Sequence, residues 1–321
     1  MSKYVGSTKL RSDLKTLIEA SPMGTVNLVA NKILPETPVI EKTAQVPELS
    51  TGAGMKLLDT KRAPDGSFKR GAWVWGAQTY YTYEYGYEEP VDNVQELLNS
   101  DIFSEETISA MVARNQLLLA REKRAAEALF NATTFAAGAD SEAADAVWSI
   151  AGSDGFKDVN DAYNKLFAKT GKAKIQCRLL INEVVLREAI RLTQVADAVK
   201  YTTPIENMEE SIQAKLLATF FGIGGVDVAT SYADSTALGV DPAIFSRLFA
   251  NAYALLYFPT PAIPSWKVPG IGRQPVYTKF AKDYIIESYP EERTDSTIIR
   301  AREFRGIFLD TKYGVLITTV L

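Results

Sequence analysis

The sequence predicts an α+β fold, and three observations support that class. A long amphipathic helix is predicted over residues 104–131. Helical stretches and short apolar strands alternate over residues 158–258, which is typical of an α/β layer. The last part of the chain, residues 276–320, is rich in strand-forming sequence.

The composition predicts a soluble globular chain of one to three domains. The 321 residues are 46% hydrophobic and 23% charged, and the formal net charge of -4 argues against a dedicated nucleic-acid binder. The longest apolar stretches fall far short of the roughly 20 residues that span a bilayer. The N-terminus, Met1-Ser2-Lys3-Tyr4, lacks the apolar core of a signal peptide, so a cytoplasmic location is expected.

The cysteine and histidine content excludes several chemistries. Cys177 is the single cysteine and lies in the largely apolar run 175–181, so we expect a buried structural thiol and no intrachain disulfide. Histidine is absent, which excludes Ser-His-Asp and Cys-His catalysis and the commonest zinc and iron ligands. No catalytic, cofactor-binding or metal residue is predicted, and the chain is expected not to be an enzyme.

Three motif-like features do not meet the requirements of the motifs they resemble. Residues 167–172 lack the first spaced glycine and the final Ser/Thr of a phosphate-binding loop, and they follow a predicted helix, not a strand. Gly222, Gly224 and Gly225 stand after a helix and before a strand, which indicates a helix C-cap and a tight turn. Adjacent glutamates, such as residues 291–292, do not point at one site, so they predict solvated charge or subunit contacts.

Two N-terminal segments have little core of their own. Residues 1–50 contain a short helical stretch at 10–18, and the prolines that follow predict an extended arm tied down on another surface. Residues 51–88 predict a long, mostly basic hairpin, with strands over 55–62 and 68–75 around a turn at 63–67.

Four tyrosines alternate along the strand that follows this hairpin. Tyr81, Tyr83, Tyr85 and Tyr87 share one face of that strand. Aromatic residues are enriched both in sheet cores and in subunit interfaces. The alternation therefore leaves two alternatives open: the core face of an intramolecular sheet, or a contact with another subunit.

The long helix has a recognisable start. Ser104 is a suitable N-cap, and the negative charge of Glu105 and Glu106 suits the helix dipole. At 1.5 Å per residue the helix is expected to be roughly 40 Å long. Its predicted apolar stripe comprises Ile108, Met111, Val112, Leu118, Leu119, Ala125, Ala126, Leu129 and Phe130, and Arg114, Arg121, Lys123 and Arg124 are predicted on other faces.

Shorter elements are predicted along the rest of the chain. Helices are expected over 158–170, 183–192 and 205–221. Strands are expected over 174–181, 253–258, 276–288, 296–302, 305–309 and 313–320, with an exposed charged turn at 289–295.

The order of these parts resembles the major capsid proteins of tailed bacteriophages, the Hong Kong 97-type family. Local sequence is similar to phage coat proteins at 83–91, 120–126, 200–202, 216–228, 288–292 and 313–320. The resemblance implies an N-arm (1–50), an extended loop (51–88), a peripheral domain with the spine helix 104–131 (89–154), an axial domain (155–275), peripheral strands and loop (276–303), and C-terminal strands that return to the axial domain (304–321).

The resemblance also implies a function. Members self-assemble into pentamers and hexamers of an icosahedral shell around double-stranded DNA, which is contacted non-specifically, in a virion assembled in the bacterial host cytoplasm. Partners are a portal and, in some members, scaffolding and decoration proteins. The inter-subunit contacts expected here are Lys61, Arg62, Lys69, Arg70, Trp73, Trp75, Tyr81, Tyr83, Glu291, Glu292, Arg293 and Asp295. Lys3, Lys9, Arg11 and Lys15 are expected to line the inner surface, where positive charge screens packaged phosphate.

Two features of some family members are not expected. Lys61 or Lys69 could take part in a lysine–asparagine crosslink, but residues 291–297 contain no asparagine, so no such crosslink is predicted. Because the chain starts at Met1 with a short arm, a separate scaffolding protein or none is expected.

Two other functions stay open. An encapsulin-type nanocompartment shares the shell architecture and holds a cargo enzyme in place of a genome. A cytoplasmic α/β enzyme would be a monomer or small oligomer with a ligand-sized pocket.

Overall fold

The computed structural model describes residues 9–10, 28–49, 57, 60–62, 66–68, 75–99, 104–150, 152–199, 209–236, 244–263, 265–280 and 283–321. The helices in these ranges are α1 (Ala30–Ile33), α2 (Asn93–Asn99), α3 (Glu105–Leu129), α4 (Gly155–Thr170), α5 (Glu183–Arg191), α6 (Thr193–Val199) and α7 (Glu210–Phe221). The strands are β1 (Lys9–Leu10), β2 (Glu36–Val39), β3 (Thr43–Leu49), β4 (Trp75–Tyr81), β5 (Tyr83–Asp92), β6 (Ser141–Ala143), β7 (Arg178–Asn182), β8 (Gly225–Ala229), β9 (Tyr232–Asp234), β10 (Phe245–Arg247), β11 (Tyr253–Tyr257), β12 (Gly272–Tyr277), β13 (Tyr284–Glu291), β14 (Ser296–Arg305), β15 (Phe308–Leu309) and β16 (Gly314–Thr318).

Two sheets organise the chain. A five-stranded sheet has the order β6-β16-β11-β7-β8, so the C-terminal strand β16 lies inside it. A seven-stranded sheet has the order β1-β13-β14-β12-β15, with β2 paired to β12 and β5 paired to β14. The β5–β14 ladder is antiparallel and places Tyr85 opposite Glu303. Both sheets are thus built from strands far apart in the sequence.

Helices pack on both faces of the five-stranded sheet. Because successive strand residues point to opposite faces, Leu179 and Ile181 of β7 face α4, α5 and α7, while Leu180 faces the other way. That second face is covered by α1 and by the C-terminal part of α3. The N-terminal part of α3 packs on the seven-stranded sheet. The long helix therefore joins the two sheets.

The prediction of the long helix is confirmed, but the prediction of which residues it buries was partly wrong. Ser104 caps the helix by accepting a hydrogen bond from the Thr107 amide at 3.4 Å. Ile108, expected in the apolar stripe, is exposed, and Arg121, expected on another face, is buried. The side chains that α3 buries are Ala110, Ala113, Leu117, Arg121, Glu122, Ala125, Ala126 and Leu129. The small alanine side chains allow the helix to lie close to the sheet. The spacing of apolar residues in the sequence cannot show which side of the helix makes this contact.

The predicted hairpin strands at 55–62 and 68–75 are not seen in the described residues of that segment. Residues 57, 60–62 and 66–68 have no regular structure. The antiparallel ladder instead joins β3 to β4, from Thr43 opposite Tyr81 to Leu49 opposite Trp75. The strands before and after this segment, β3 and β4, thus pair with each other as far as Leu49 and Trp75. The arm also differs from its prediction, because α1 forms one helical turn before the prolines.

Several smaller predictions changed in their bounds. The single strand expected over 276–288 is divided into β12 and β13 by a turn at 278–280. Conversely, β14 runs without a break to Arg305. Gly222 caps α7 with a φ of 67°, which confirms the predicted C-cap because glycine enters the left-handed region without a steric penalty. The domain boundaries expected at 88/89, 275/276 and 303/304 fall within β5, β12 and β14.

Candidate assembly surfaces

The side chains of Tyr81, Tyr83 and Tyr87 are exposed, whereas that of the neighbouring Tyr80 is buried. Tyr81 and Tyr83 expose 52% and 58% of their surface, and Tyr87 is also exposed. Tyr80 is buried and stacks on Trp266 with ring centroids 5.2 Å apart. Only Tyr85 is partly covered, by the Arg124 guanidinium 3.4 Å from its ring centroid. The reading of these tyrosines as an intramolecular core face is therefore wrong for three of the four.

The described part of the extended loop is also exposed. Lys61 and Arg62 both face solvent. The Arg62 Nε donates to the Gly66 carbonyl at 2.7 Å, and its guanidinium lies 5.2 Å from the Phe68 ring centroid. These contacts hold the arginine against Gly66 and Phe68 of the same loop. Lys69, Arg70 and Trp73 lie outside the described residues, and for Trp75 only the backbone, in β4, is described.

The charged turn between β13 and β14 is held in a defined shape. Glu292, Arg293 and Asp295 are exposed, and Glu291 is half-buried. Asp295 has a φ of 45°, in the left-handed region, and its side chain accepts a hydrogen bond from Asn93 Nδ2 at 3.0 Å. The Asn93 amide also donates to the Asp295 carbonyl at 3.3 Å. The prediction of an exposed turn is confirmed, and α2 braces it from behind.

An ion-pair ladder covers the face of the seven-stranded sheet away from α3. Glu287 accepts from Arg300 at 2.7 Å and from Arg302 at 2.6 Å. The same arginines lie 3.4 Å from Glu88 and 3.0 Å from Glu84. Burial alone would raise the pKa of Glu287, but the two guanidiniums outweigh burial and lower it. Arg300 and Glu88 are 212 positions apart in the sequence, so local spacing could not predict this pair.

A second charge network lies under the helix side of that sheet. Glu303 is fully buried, and its carboxylate lies 2.5 Å from Arg121, 2.9 Å from Arg124 and 2.9 Å from the Arg305 Nε. Arg305 also contacts Asp283 and, at 2.6 Å, Glu36. The network joins the arm, α3, β14 and the segment before β13, and its charges balance.

Two buried carboxylates hold the arm. The Glu122 side chain accepts hydrogen bonds from the Val29 and Ala30 amides, both at 2.9 Å, and so caps α1. Its burial raises the pKa of Glu122, against the effect of these hydrogen bonds. Asp227 of β8 accepts from Lys32 and Tyr257, both at 2.6 Å. The arm therefore packs as part of the body from Leu28 onward.

Asp227 shows how a buried charge is stabilised. Its carboxylate also binds both the Nε and, at 2.7 Å, the Nη2 of Arg178. Burial would raise the pKa of Asp227, but the hydrogen bonds from Arg178, Lys32 and Tyr257 outweigh it and lower that pKa. Tyr257 responds in the opposite direction, because burial and the nearby Asp227 charge raise its pKa well above the usual value.

Comparison with known proteins identifies the fold. No protein-family model and no curated protein sequence matches the chain. A phage-related protein from Bordetella bronchiseptica is similar in structure, with a TM-score of 0.67 at 18% identity, over 97% of both chains. The capsid of the cyanophage P-SCSP1u matches with a TM-score of 0.58 at 11% identity, over 93% of this chain and 89% of that one. A virus-like particle from Pyrococcus furiosus matches with a TM-score of 0.51 at 15% identity, over 96% and 97%.

The chain has the Hong Kong 97-type capsid fold. The long helix α3 corresponds to the spine helix of that fold. We use the name axial layer for the five-stranded sheet with its helices and the name peripheral layer for the seven-stranded sheet. The expected α+β class is confirmed. The compared cyanophage protein is a structural protein of a capsid.

Of the residues expected to line the inner surface, only one lies within the described part of the chain. Lys3, Arg11 and Lys15, expected on the inner surface, lie outside the described residues. For Lys9 only the backbone is described, paired with Ser288 at the edge of the peripheral sheet.

Cys177 is completely buried, as predicted, and burial raises the pKa of its thiol to about 12. Within the described ranges, no cluster of acidic or cysteine side chains is arranged to hold a metal ion. None of the helices described there combines the length and apolarity needed to cross a membrane.

Proposed function

We propose that this chain is a major capsid protein, which self-assembles into pentamers and hexamers of an icosahedral shell enclosing double-stranded DNA. The observation that carries the proposal is the match over 97% of both chains to a phage-related protein, together with the match to a cyanophage capsid along nearly the whole length. These matches include the arm, the base of the loop, the spine helix and both layers. A likeness limited to one local motif would not cover all of these parts.

The surfaces of the described residues support assembly. Tyr81 at the end of β4 and Tyr83 at the start of β5 leave large aromatic areas in solvent, and exposed aromatic patches commonly mark protein interfaces. Lys61 and Arg62 carry positive charge on the extended loop, and the braced turn ending at Asp295 presents negative charge. We propose these as inter-subunit contacts, together with Lys69, Arg70, Trp73, Trp75, Glu291, Glu292 and Arg293.

The finer parts of the proposal concern DNA and accessory proteins. Lys3, Lys9, Arg11 and Lys15 are proposed to face packaged DNA, where a few lysines and arginines screen phosphate without reading sequence. A portal, and scaffolding or decoration proteins where present, are proposed as further partners. Assembly is proposed to take place in the cytoplasm of a bacterial host, and the finished location is the virion capsid.

Electron microscopy of the purified chain tests the proposal. We expect closed icosahedral particles after expression in bacteria, with five-fold and six-fold clusters after image reconstruction. A chain that stays monomeric or forms a small oligomer by light scattering, across a range of salt and protein concentrations, contradicts shell formation and favours the enzyme alternative.

A nanocompartment shell is the second candidate, supported by the likeness to the archaeal virus-like particle. The contents of particles isolated from the producing cell distinguish the two. Nuclease-protected DNA of uniform length supports the capsid, whereas a copurified enzyme and no protected DNA support the compartment.

A further inference from the structure

The ribbon formed by β9 and β10 stands apart from the two sheets. β9 (Tyr232–Asp234) and β10 (Phe245–Arg247) pair with each other, and within the described ranges neither pairs with another strand. Ala233 is half-buried, and the other residues of the ribbon are exposed. Because an isolated two-stranded ribbon is marginally stable in water, a ribbon with so little cover is expected to need a further contact.

The base of the ribbon is anchored to the body. The Leu248 amide donates to the Ser231 carbonyl at 3.1 Å, and the Ser231 hydroxyl donates to the buried Glu122 at 3.2 Å. The Arg247 Nε donates to Glu183, at the start of α5, at 2.9 Å. The ribbon therefore projects from a fixed point of the body.

The far end of the ribbon is also held in a defined shape. The Asp234 carboxylate accepts hydrogen bonds from the Thr236 amide at 2.9 Å and from the Ile244 amide at 3.1 Å. The Ser235 amide donates to the Ile244 carbonyl at 2.8 Å. Both strands are thus in place before any partner arrives, which lowers the entropic cost of pairing.

The hydrogen bonds inside the ribbon determine which backbone groups point outward. These bonds join Ser231 to Leu248 and Ser235 to Ile244, and bonded pairs alternate with non-bonded pairs along an antiparallel ladder. The backbone N–H and C=O groups that point outward, two residues to each edge, are therefore those of Tyr232, Asp234, Phe245 and Arg247. No hydrogen bond from the described part of the chain reaches these backbone groups. Both edges of the ribbon can thus accept another strand.

One face of the ribbon is aromatic. Residues directly opposite each other share a face, so Tyr232 and Phe245 lie on the same side. Their rings meet edge to face with centroids 5.4 Å apart, and they expose 59% and 65% of their surface. The other face carries only the small side chains of Ala233 and Ser246. Exposed aromatic surface beside unpaired strand edges is typical of a protein contact.

The two edges of the ribbon match each other. Each edge presents two outward residues, and a β10 edge placed beside the β9 edge of another copy continues the antiparallel order. Phe245 of one copy then lies diagonal to Tyr232 of the next, as it does to its own Tyr232, so the aromatic face also continues. Charge does not decide this pairing, because Arg247 is already paired with Glu183 and Asp234 accepts hydrogen bonds from its own turn. Recognition depends on backbone hydrogen bonds and aromatic contact.

We propose that the β10 edge of one copy pairs with the β9 edge of the next copy, with Phe245 opposite Asp234 and Arg247 opposite Tyr232. This inference rests on the proposed shell function, in which identical copies form rings. Copies in such a ring are related by rotation in one direction, so unlike edges meet. The ribbons then close into one continuous sheet around the axis of the ring, and no unpaired edge remains.

Crosslinking between two single-cysteine variants tests the pairing. The proposed register places Ala233 of one copy opposite Ser246 of the next, within the Cα separation of about 4.4–6.8 Å that a disulfide spans. Ala233→Cys and Ser246→Cys change the side chains little and are co-expressed. Purified mixed particles are oxidised, and we expect covalent dimers on a non-reducing denaturing gel. A disulfide within one copy is excluded, because each variant has one added cysteine and Cys177 is buried.

Controls separate this inference from the proposed function. Particles of either variant alone are expected to give no dimer, and so is Ala233→Cys mixed with Lys267→Cys, an exposed position outside the ribbon. Absence of dimers from the Ala233→Cys and Ser246→Cys mixture, or dimers from any of these controls, overturns the pairing. Absence of particles from the wild-type chain contradicts the proposed function itself.

Amide hydrogen exchange of the wild-type chain provides a second measurement that needs no variant. The outward amides of Tyr232, Asp234, Phe245 and Arg247 are expected to exchange at least about tenfold more slowly in particles than in the unassembled chain. Equal rates in the two forms overturn the pairing. Slower exchange without mixed cysteine dimers assigns the edges to a different partner and also overturns it.

Discussion

Arg121 of the spine helix lies 2.5 Å from Glu303 of β14, and both side chains are almost entirely removed from water. The two residues are separated by 182 positions. Arg124 and Arg305 contact the same carboxylate, so one buried anion links cations of the helix with a cation of the strand. This junction attaches the spine helix to the peripheral sheet at the point where the helix leaves it.

Removing the buried anion is expected to be costly. Glu303→Gln leaves three arginines around a neutral side chain, and breaking a buried ion pair from one side typically costs about 3–5 kcal/mol. The measurement is the free energy of unfolding in urea. Glu88→Gln is the matched control, because its exposed pair with Arg300 is expected to contribute less than about 1 kcal/mol. Equal effects of the two substitutions would contradict this view of the network.

Replacing Asp227 is expected to change how stability depends on pH. The pKa of Asp227 is lower in the folded chain than in the unfolded chain, so its contribution is present above the unfolded value of about 3.9 and is lost as pH falls through the folded value. Asp227→Asn should therefore be less stable than the wild type near neutral pH, and this difference should shrink below about pH 4. Urea titrations at a series of pH values measure it; a difference that stays constant with pH would refute the assignment.

The effect of Glu122 on the pH dependence of stability is expected to be opposite to that of Asp227. Burial raises its folded pKa above the unfolded value, so the folded state binds a proton more readily, and stability decreases as pH rises from the unfolded value to the folded one. Glu122→Gln should remove this decrease. The substitution also replaces one of the two carboxylate oxygens by an NH2 donor, so either the Val29 or the Ala30 amide loses its acceptor, which is expected to cost about 1–3 kcal/mol at neutral pH. The same titrations measure both effects, and Glu127→Gln on the exposed side of the helix is the control.

The single thiol is expected to be inert in the folded chain. With a pKa of about 12, Cys177 should react with a disulfide reagent at pH 8 about a thousandfold more slowly than an ordinary cysteine, because the thiolate is the reacting form. Full release of the coloured product should follow addition of denaturant. Rapid labelling of the native protein would show that the strand is accessible.

Tyr80 is expected to contribute to the stability of the fold, and Tyr81 and Tyr83 are expected to contribute to assembly. Tyr81→Ser with Tyr83→Ser is expected to reduce particle yield while leaving the melting temperature of the unassembled chain nearly unchanged, since both side chains are already exposed. Tyr80→Ala, by contrast, removes a buried ring and its stacking on Trp266, and should lower stability by about 3–5 kcal/mol. Normal assembly of the double variant would remove these tyrosines from the proposed interface.

Features that depend on nearby residues could be predicted from the sequence alone. Ser104 and the glutamates after it start the spine helix, and Gly222 ends α7, because capping involves only the adjacent turn. The burial of Cys177 follows from the apolar run around it. The absence of histidine closes several catalytic routes whatever the fold is.

Features that depend on distant partners were decided only by the tertiary structure. Arg121 is buried because Glu303 meets it from another strand, and Glu122 is buried because it caps a helix in the arm. The alternation of Tyr81 and Tyr83 defines a face, but whether that face is covered depends on where α3 lies. Helical and strand periodicities record local geometry, whereas burial of a charge requires a partner of opposite sign that only folding brings within hydrogen-bond distance.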